Sequence, residues 1–186
     1  MVTTTPLITP TGASTPAPLG SAGTASSVEG SRLAAEELRA WRGFADASVL
    51  LIAYLDRELK RVHGITHNDY GVLFELRDAE RNELRMSVLA DRSCFSKSRL
   101  SHQVAKLEKA GLVERRQCPS DSRGVWVALT PKGKAIIEGA TPDHRHDVRE
   151  NFLRQMTPGQ ITAMGEAFEA ILDHLRSVPG CEDGAD

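Results

Sequence analysis

The sequence predicts a mainly α-helical chain with one small β-hairpin, arranged as a winged helix-turn-helix flanked by N- and C-terminal helices. Three observations carry that expectation. Residues 95–130 read as a short polar helix followed directly by a β-hairpin. Long amphipathic stretches lie on either side of this stretch. The charge of the chain is also strongly segregated. Between residues 84 and 134 there are eleven Lys or Arg against four Asp or Glu, whereas the whole 186-residue chain has a net charge of −2. A positive surface confined to one module can exchange counterions with phosphate, which a uniform mixture of charge does poorly.

Residues 1–31 are Thr, Ser, Pro, Gly or Ala at 24 positions, with no aromatic side chain. Such a segment buries too little apolar area to offset its ordering entropy, and we expect a disordered tail. From 33 to 62 the apolar residues Leu33, Leu38, Trp41, Ala45, Ile52, Leu55, Leu59 and Val62 follow helical spacing. A helix of about 45 Å exceeds what a small domain covers, so the segment 32–64 is expected to pair with a second copy. His63 and Gly64 end it.

Thr66 is the expected N-cap of a second helix over 68–77, with Tyr70, Leu73, Phe74 and Leu76 inward. A polar loop leads to a short extended piece at 84–86. Ser87 then caps a brief helix over 88–92, and Ser93, Cys94 and Phe95 form the turn. Ser96 caps the helix that follows. Helix, tight turn and helix within some twenty residues is helix-turn-helix spacing. In the second of these helices Leu100, Val104 and Leu107 form the inner face, and Gly111 supplies the left-handed C′ residue. Strands are expected at 112–116 and 125–129. The domain expectation is therefore a winged module over 65–130.

Thr130 and Pro131 start the next helix as N-cap and N1. Gly139, Thr141 and Pro142 predict a kink or break in its middle. Thr157 and Gln160 have capping-box spacing and begin a last helix, whose apolar face is Ile161, Met164, Phe168, Ile171, Leu172 and Leu175. Residues 131–178 are thus expected to complete a helical dimer interface, and 179–186 to fray.

The run from 85 to 137 resembles the DNA-binding region of the MarR family of bacterial transcriptional regulators. The matching residues are Met86-Ser87-x-Leu89-Ala90, then Ser96 and Ser98, then Leu107-Glu108-x-x-Gly111-Leu112-Val113-x-Arg115. The wing pattern Asp121-x-Arg123 and Val127-x-Leu129-Thr130-x-x-Gly133 follows. The resemblance implies a homodimer, each subunit presenting one winged helix to double-stranded DNA at a palindromic operator, and most simply a repressor. In one respect the chain departs from the family. Ser101-His102 stands where Thr-Arg is frequent, so the family's base preference does not carry over.

On this reading the DNA-binding candidates are Ser96, Lys97, Ser98, Arg99, Ser101, His102, Gln103, Lys106, Arg115, Asp121 and Arg123. Hydroxyls and free N–H groups at a helix start suit phosphate, Gln suits adenine and Arg suits guanine. A wing-tip guanidinium suits a narrow minor groove. Family members commonly respond to small anionic or phenolic ligands, and Trp41, His63, His67, Tyr70 and Arg85 are the candidates to line such a site. A thiol switch through Cys94 or Cys118 is the alternative mode of regulation, and a winged helix used only for protein–protein contact is the alternative function.

Other classes find little support. HExxH, GxSxG, GxxxxGK[ST] and GxGxxG are absent from the sequence, so no enzyme, cofactor or metal centre is expected. The three cysteines form no CxxC pair, no apolar run approaches a membrane span, and no Lys or Arg precedes Arg32. Those features predict a cytoplasmic protein without membrane contact.

Overall fold

The computed structural model describes residues 32–118 and 121–178, the side chains of 118 and 121–123 excepted. The expectations for the tails, and for the side chains of Cys118, Asp121 and Arg123, lie outside the described residues. By contacts the chain forms two units, 1–43 and 44–186. The element order is α1 (Ala35–His63), α2 (His67–Asp78), β1 (Glu83–Arg85), α3 (Met86–Ser93), α4 (Lys97–Lys109), β2 (Val113–Cys118), β3 (Asp121–Leu129), α5 (Pro131–Asn151) and α6 (Pro158–Ser177). Short 3-10 turns at Glu80–Asn82 and Leu153–Gln155 complete it.

Each boundary has a local cause. Gly64, at φ +70°, ends α1 in a conformation that costs a Cβ-bearing residue steric energy. Thr66 and Asp69 form a reciprocal capping box at the start of α2. Ser96 accepts the Arg99 N–H at the start of α4. That helix ends in a Schellman arrangement, with Leu112 N–H donating to Leu107 O and Gly111 N–H to Glu108 O, Gly111 being left-handed. Thr130 and Thr157 cap α5 and α6, each with a proline in the first turn.

In the longer unit the core gathers the inner faces of α2, α3, α4 and the sheet. Leu73, Leu76, Leu89, Leu100, Val104, Leu107, Val127 and Ile137 are buried together. The sheet is antiparallel with order β1-β3-β2, and Leu84 and Arg115 both lie opposite Val127. Opposed residues share a face, so Arg115 lies on the side of the sheet turned to α4. Arg116, Trp126 and Arg85 share the other face.

Two boundary expectations need correction. The helix α3 begins at Met86 rather than after Ser87, with Arg85 as an N-cap that makes no side-chain cap bond. Of the kink or break expected at Gly139–Pro142, the break does not occur, because α5 runs unbroken from Pro131 to Asn151. Pro142 removes only the donor that would reach Glu138 O, and residue 138 faces water. Meanwhile Ile137 and Ala140 are fully buried, and Thr141 Oγ1 donates to Ile137 O at 2.6 Å while accepting from Arg77 Nη1 at 2.7 Å. Tertiary packing outweighs the local propensity of one proline.

Candidate nucleic-acid interface and adjoining cavity

The geometry of α4 follows from its sequence. Leu100, Val104 and Leu107 are buried, which rotates Lys97, Ser98, Ser101 and His102 outward, and all four are exposed. Ser96 stands at the N-terminus with its oxygen engaged by the Arg99 N–H at 3.3 Å. The positive end of the helix dipole faces outward there. A helix presenting a cation, two hydroxyls and an imidazole on one open face can meet both phosphate and base edges.

The flanks of α4 are occupied by protein. Arg99 lies over the Phe95 ring at 4.4 Å and donates to Asn68 Oδ1 at 3.4 Å. Gln103 donates its side-chain amide to Asp69 Oδ1, and Lys106 Nζ reaches Asp69 Oδ2 at 2.8 Å. On the opposite flank Arg115 Nη2 donates to Ser101 O at 2.9 Å, and its Nε lies 3.7 Å from Glu108. Arg115 therefore ties the wing to the helix. Of the residues singled out in the sequence, Lys97, Ser98, Ser101 and His102 share the open face. Gln103, Lys106 and Arg115 are engaged in contacts within the chain.

A groove of about 480 Å³ separates the wing from α4, lined by Arg85, Met86, Ser87, Lys97, Leu100, Ser101, Gly124 and Val125. The Arg85 guanidinium lies 5.5 Å from the Trp126 ring centre. Arg85 thus borders the interface.

Behind α4, a cavity of about 560 Å³ opens between α2, the turn between α3 and α4, and α5. Tyr70, Phe74 and Phe95 give it aromatic walls, and Arg92, Arg145 and Arg149 surround it with Glu75. His67 and Tyr70, named from the sequence, line it; Trp41, His63 and Arg85 are not among its lining residues. His63 is instead bonded to Asp143 at 2.9 Å. Trp41 belongs to the shorter unit and is exposed.

His144 packs on Tyr70 with ring centres 4.1 Å apart, and on His67 at 5.6 Å. Burial holds His144 down at about 4, with the neighbouring His67 adding to the effect. His67 is lowered by burial as well, and burial raises the Tyr70 hydroxyl. Both imidazoles are therefore neutral at pH 7, and among the described residues the Nδ1 atoms of both have no hydrogen-bond partner. His144, Arg145 and Arg149 were missed by sequence reasoning. The signal was present: Ile137, Thr141, His144 and Val148 continue one helical face, but only if α5 passes unbroken through Pro142.

Cys94 occupies the turn between α3 and α4 at φ +54°, and it is exposed. Among the described residues no group of three or more His, Cys, Asp or Glu could hold a metal ion, and no helix is long and apolar enough to cross a membrane.

Comparison with known proteins identifies this arrangement. Residues 63–124 match the family model described as MarR family. The chain is 40% identical to Sco3205 of Streptomyces coelicolor, a MarR family transcriptional regulator solved in complex with DNA. That likeness covers 77% of this chain and 90% of the other, with a TM-score of 0.75. AbsC, a MarR family regulator of the same organism, is 37% identical over 79% of this chain and 99% of its own, with a TM-score of 0.76. The HTH-type transcriptional repressor YetL of Bacillus subtilis is 29% identical over 111 residues, a match spanning 58% of this chain and 66% of that repressor. The winged helix, its exposed reading face and these relatives together establish that the chain belongs to the MarR family of DNA-binding transcriptional regulators.

Proposed function

We propose that the chain acts as a homodimeric repressor that binds a palindromic operator through α4 and the wing, and that leaves it when a small ligand fills the cavity behind α4. The observation that carries the DNA reading is the open face of α4. Lys97 and Ser98 stand at its positive N-terminus for phosphate, and Ser101 and His102 follow one turn later for base edges. Ser96 and Arg99 border that face, and Arg99 can exchange Asn68 for a phosphate oxygen or a guanine. Asp121 and Arg123 are assigned to the wing tip from their place in the sequence pattern, with Asp121 orienting Arg123 for a minor groove. The solved complex of Sco3205 with DNA supports this reading.

A homodimer is supported by apolar surface that the single chain leaves open. Val49, Leu50 and Ile52 on α1 and Ile171, Leu172 and Leu175 on α6 are exposed. No residue of α6 is buried, although Phe168 packs on Phe44 with ring centres 5.7 Å apart. A helix with an apolar face and nothing buried needs a partner. Two copies would then read half-sites about one helical turn, roughly 34–36 Å, apart.

The cavity suits a planar anionic or phenolic ligand. Its aromatic walls match a ring, Arg145 and Arg149 match a carboxylate or phenolate, and a neutral His144 can bond a hydroxyl without opposing charge. A second mode of release, through oxidation of Cys94, is supported by its exposure in the turn that precedes α4.

The deciding experiment is an anisotropy titration against DNA from upstream of the chain's own gene, repeated across salt concentrations. The expected result is an affinity that falls linearly with log salt, release by a benzoate-type acid or a phenol, and unchanged release when Cys94 is replaced by Ser. Absence of any salt-sensitive binding sinks the DNA reading. Release by peroxide that disappears in Cys94→Ser moves the regulatory reading to the thiol.

A further inference from the structure

Among the described residues Asp69 is the one carboxylate buried in the fold, at 3% exposure. A capping-box acid at the start of an ordinary surface helix needs no such burial, since bonding back to the N-cap can be done in water. Here the capping work occupies Oδ2, which accepts the Thr66 N–H at 2.8 Å and the Thr66 hydroxyl at 2.6 Å. The same carboxylate also faces α4, where Oδ1 accepts from the Gln103 amide and from Lys106 Nζ at 3.1 Å, and Oδ2 accepts from that Nζ at 2.8 Å. One carboxylate thus joins the first turn of α2 to two residues of α4 spaced i, i+3 on a single flank.

That flank lies beside the reading face. Gln103 is the residue type that pairs with adenine, and Lys106 the type that neutralises phosphate. Both are the side chains a major-groove helix would be expected to offer DNA. The buried charge holds them instead, with charge-assisted geometry on Lys106. Arg99, on the same flank, bonds to Asn68, the residue before Asp69.

Resting on the reading of α4 as the DNA-contacting helix, we propose that Asp69 is the positioning residue of the interface. By holding Gln103 and Lys106 it sets the rotation of α4 about its own axis and keeps both side chains off the duplex, which leaves the base edges to Ser101 and His102.

The test uses the full chain and its operator duplex, with a scrambled duplex beside it. Asp69→Asn keeps the size of the side chain and one acceptor for the Thr66 N–H, but removes the charge that Lys106 and Gln103 share. The expected result is a fall of about tenfold or more in the operator-to-scrambled affinity ratio, together with a steeper salt dependence. The slope of log affinity against log salt should grow by about 0.9 per subunit as Lys106 joins the phosphate contacts. Adding Lys106→Met to Asp69→Asn should return the slope to its original value, and Asp69→Glu, which restores the charge, should recover part of the ratio. A purely structural Asp69 predicts a lower urea midpoint with the ratio and slope of the folded protein unmoved, and that result overturns the proposal.

If Asp69→Asn does not fold, the wild-type chain decides the matter by NMR. The Gln103 side-chain amide should keep its free-protein chemical shift on saturation with operator, while the backbone signals of Ser101 and His102 move. A shift of the Gln103 amide as large as theirs overturns the proposal. Failure of the wild-type chain to bind DNA overturns the parent reading, whereas wild-type binding with an unmoved Asp69→Asn overturns this one alone.

Discussion

Replacing Gly133 by Ala tests whether the wing is locked to α5 by the close approach of two backbones. A Cβ built at Gly133 would stand 2.0 Å from Leu112 O and 2.9 Å from Leu112 C. Both are backbone atoms, so no side chain can turn aside, and the gap must open by more than about 1 Å to reach ordinary contact. That same carbonyl accepts the Thr130 N–H at 3.1 Å. Thr130 Oγ1 meanwhile donates to Gly111 O at 2.8 Å and accepts the Gly133 N–H at 3.0 Å. Forcing the segments apart therefore strains the junction between the end of α4, the base of the hairpin and the start of α5. Overpacking at a site that cannot relax costs about 3 kcal/mol, and the lost hydrogen bond adds about 1 kcal/mol. The helix propensity of Ala over Gly returns about 1 kcal/mol. The net expectation is a loss of about 3 kcal/mol in a urea titration, read as a lower midpoint at unchanged slope. Gly139→Ala is the control, because that exposed helical glycine has nothing within 4 Å of its virtual Cβ. It should gain about 0.5–1 kcal/mol. If Gly133→Ala behaves like Gly139→Ala, the backbone contact does not constrain the wing and the reasoning fails.

Three further outcomes follow from the same geometry. Because burial holds His144 at about 4 against an ordinary 6.5, the unfolded chain takes up its proton first as the pH falls. The stability from this group is full above about pH 6.5 and drains toward pH 4. A gap of that size is worth at most about 3 kcal/mol, and water reaching the partly exposed ring reduces it to the order of 1–2 kcal/mol. Urea midpoints at pH 7 and pH 5 should therefore diverge more for the wild-type chain than for His144→Phe, and equal divergence refutes the assignment. Pro142→Ala restores a donor for Glu138 O inside an unbroken helix and should stabilise the chain by about 1 kcal/mol; a lower melting temperature would mean that the proline shapes α5. His102→Arg should move base preference toward guanine by about 1–3 kcal/mol at one position of each half-site, measured by competition among duplexes that vary there. An unchanged preference removes His102 from the base edges.

Local signals in the sequence reached most of the fold. Capping residues at Thr66, Ser96, Thr130 and Thr157 all cap helices in the structure, and Gly64 and Gly111 both take positive φ where a helix must stop. These features depend on a few neighbouring residues, which is why spacing alone reveals them. What was hidden depends on distance in the chain. Pro142 looked like a break because propensity is local, while the burial of Ile137 and Ala140 that overrides it comes from elements many residues away. Ser87 looked like a cap because it precedes an apolar residue, yet the pairing of Glu83 to Arg85 with Trp126 to Ala128 delivers the chain directly into α3 at Met86. Gln103 is a candidate for base contact by its place beside His102, and its bond to Asp69, 34 residues earlier, is one that no pattern within α4 could show.

The cavity and the reading face share structure at two places only among the described lining residues. One is the first turn of α2, where His67, Asn68 and Tyr70 line the cavity and Asp69 between them holds α4. The other is the turn after α3, where Arg92, Ser93 and Phe95 line the cavity and Ser96 begins α4. Both enter α4 on its cavity side, one at its N-terminus and one along the flank through Asn68–Arg99 and Asp69–Gln103. The cavity wall includes no residue of β2 or β3. An occupant can shift the DNA equilibrium only by the difference in its affinity for the two arrangements of these turns. Since a packed helical turn moves as a unit rather than deforming residue by residue, a ligand that displaces Tyr70 or His67 displaces Asp69 with them. On the proposed reading such a shift acts on the rotation and entry of α4, and it is passed to the wing by contacts that include Arg115, whose guanidinium donates to Ser101 O.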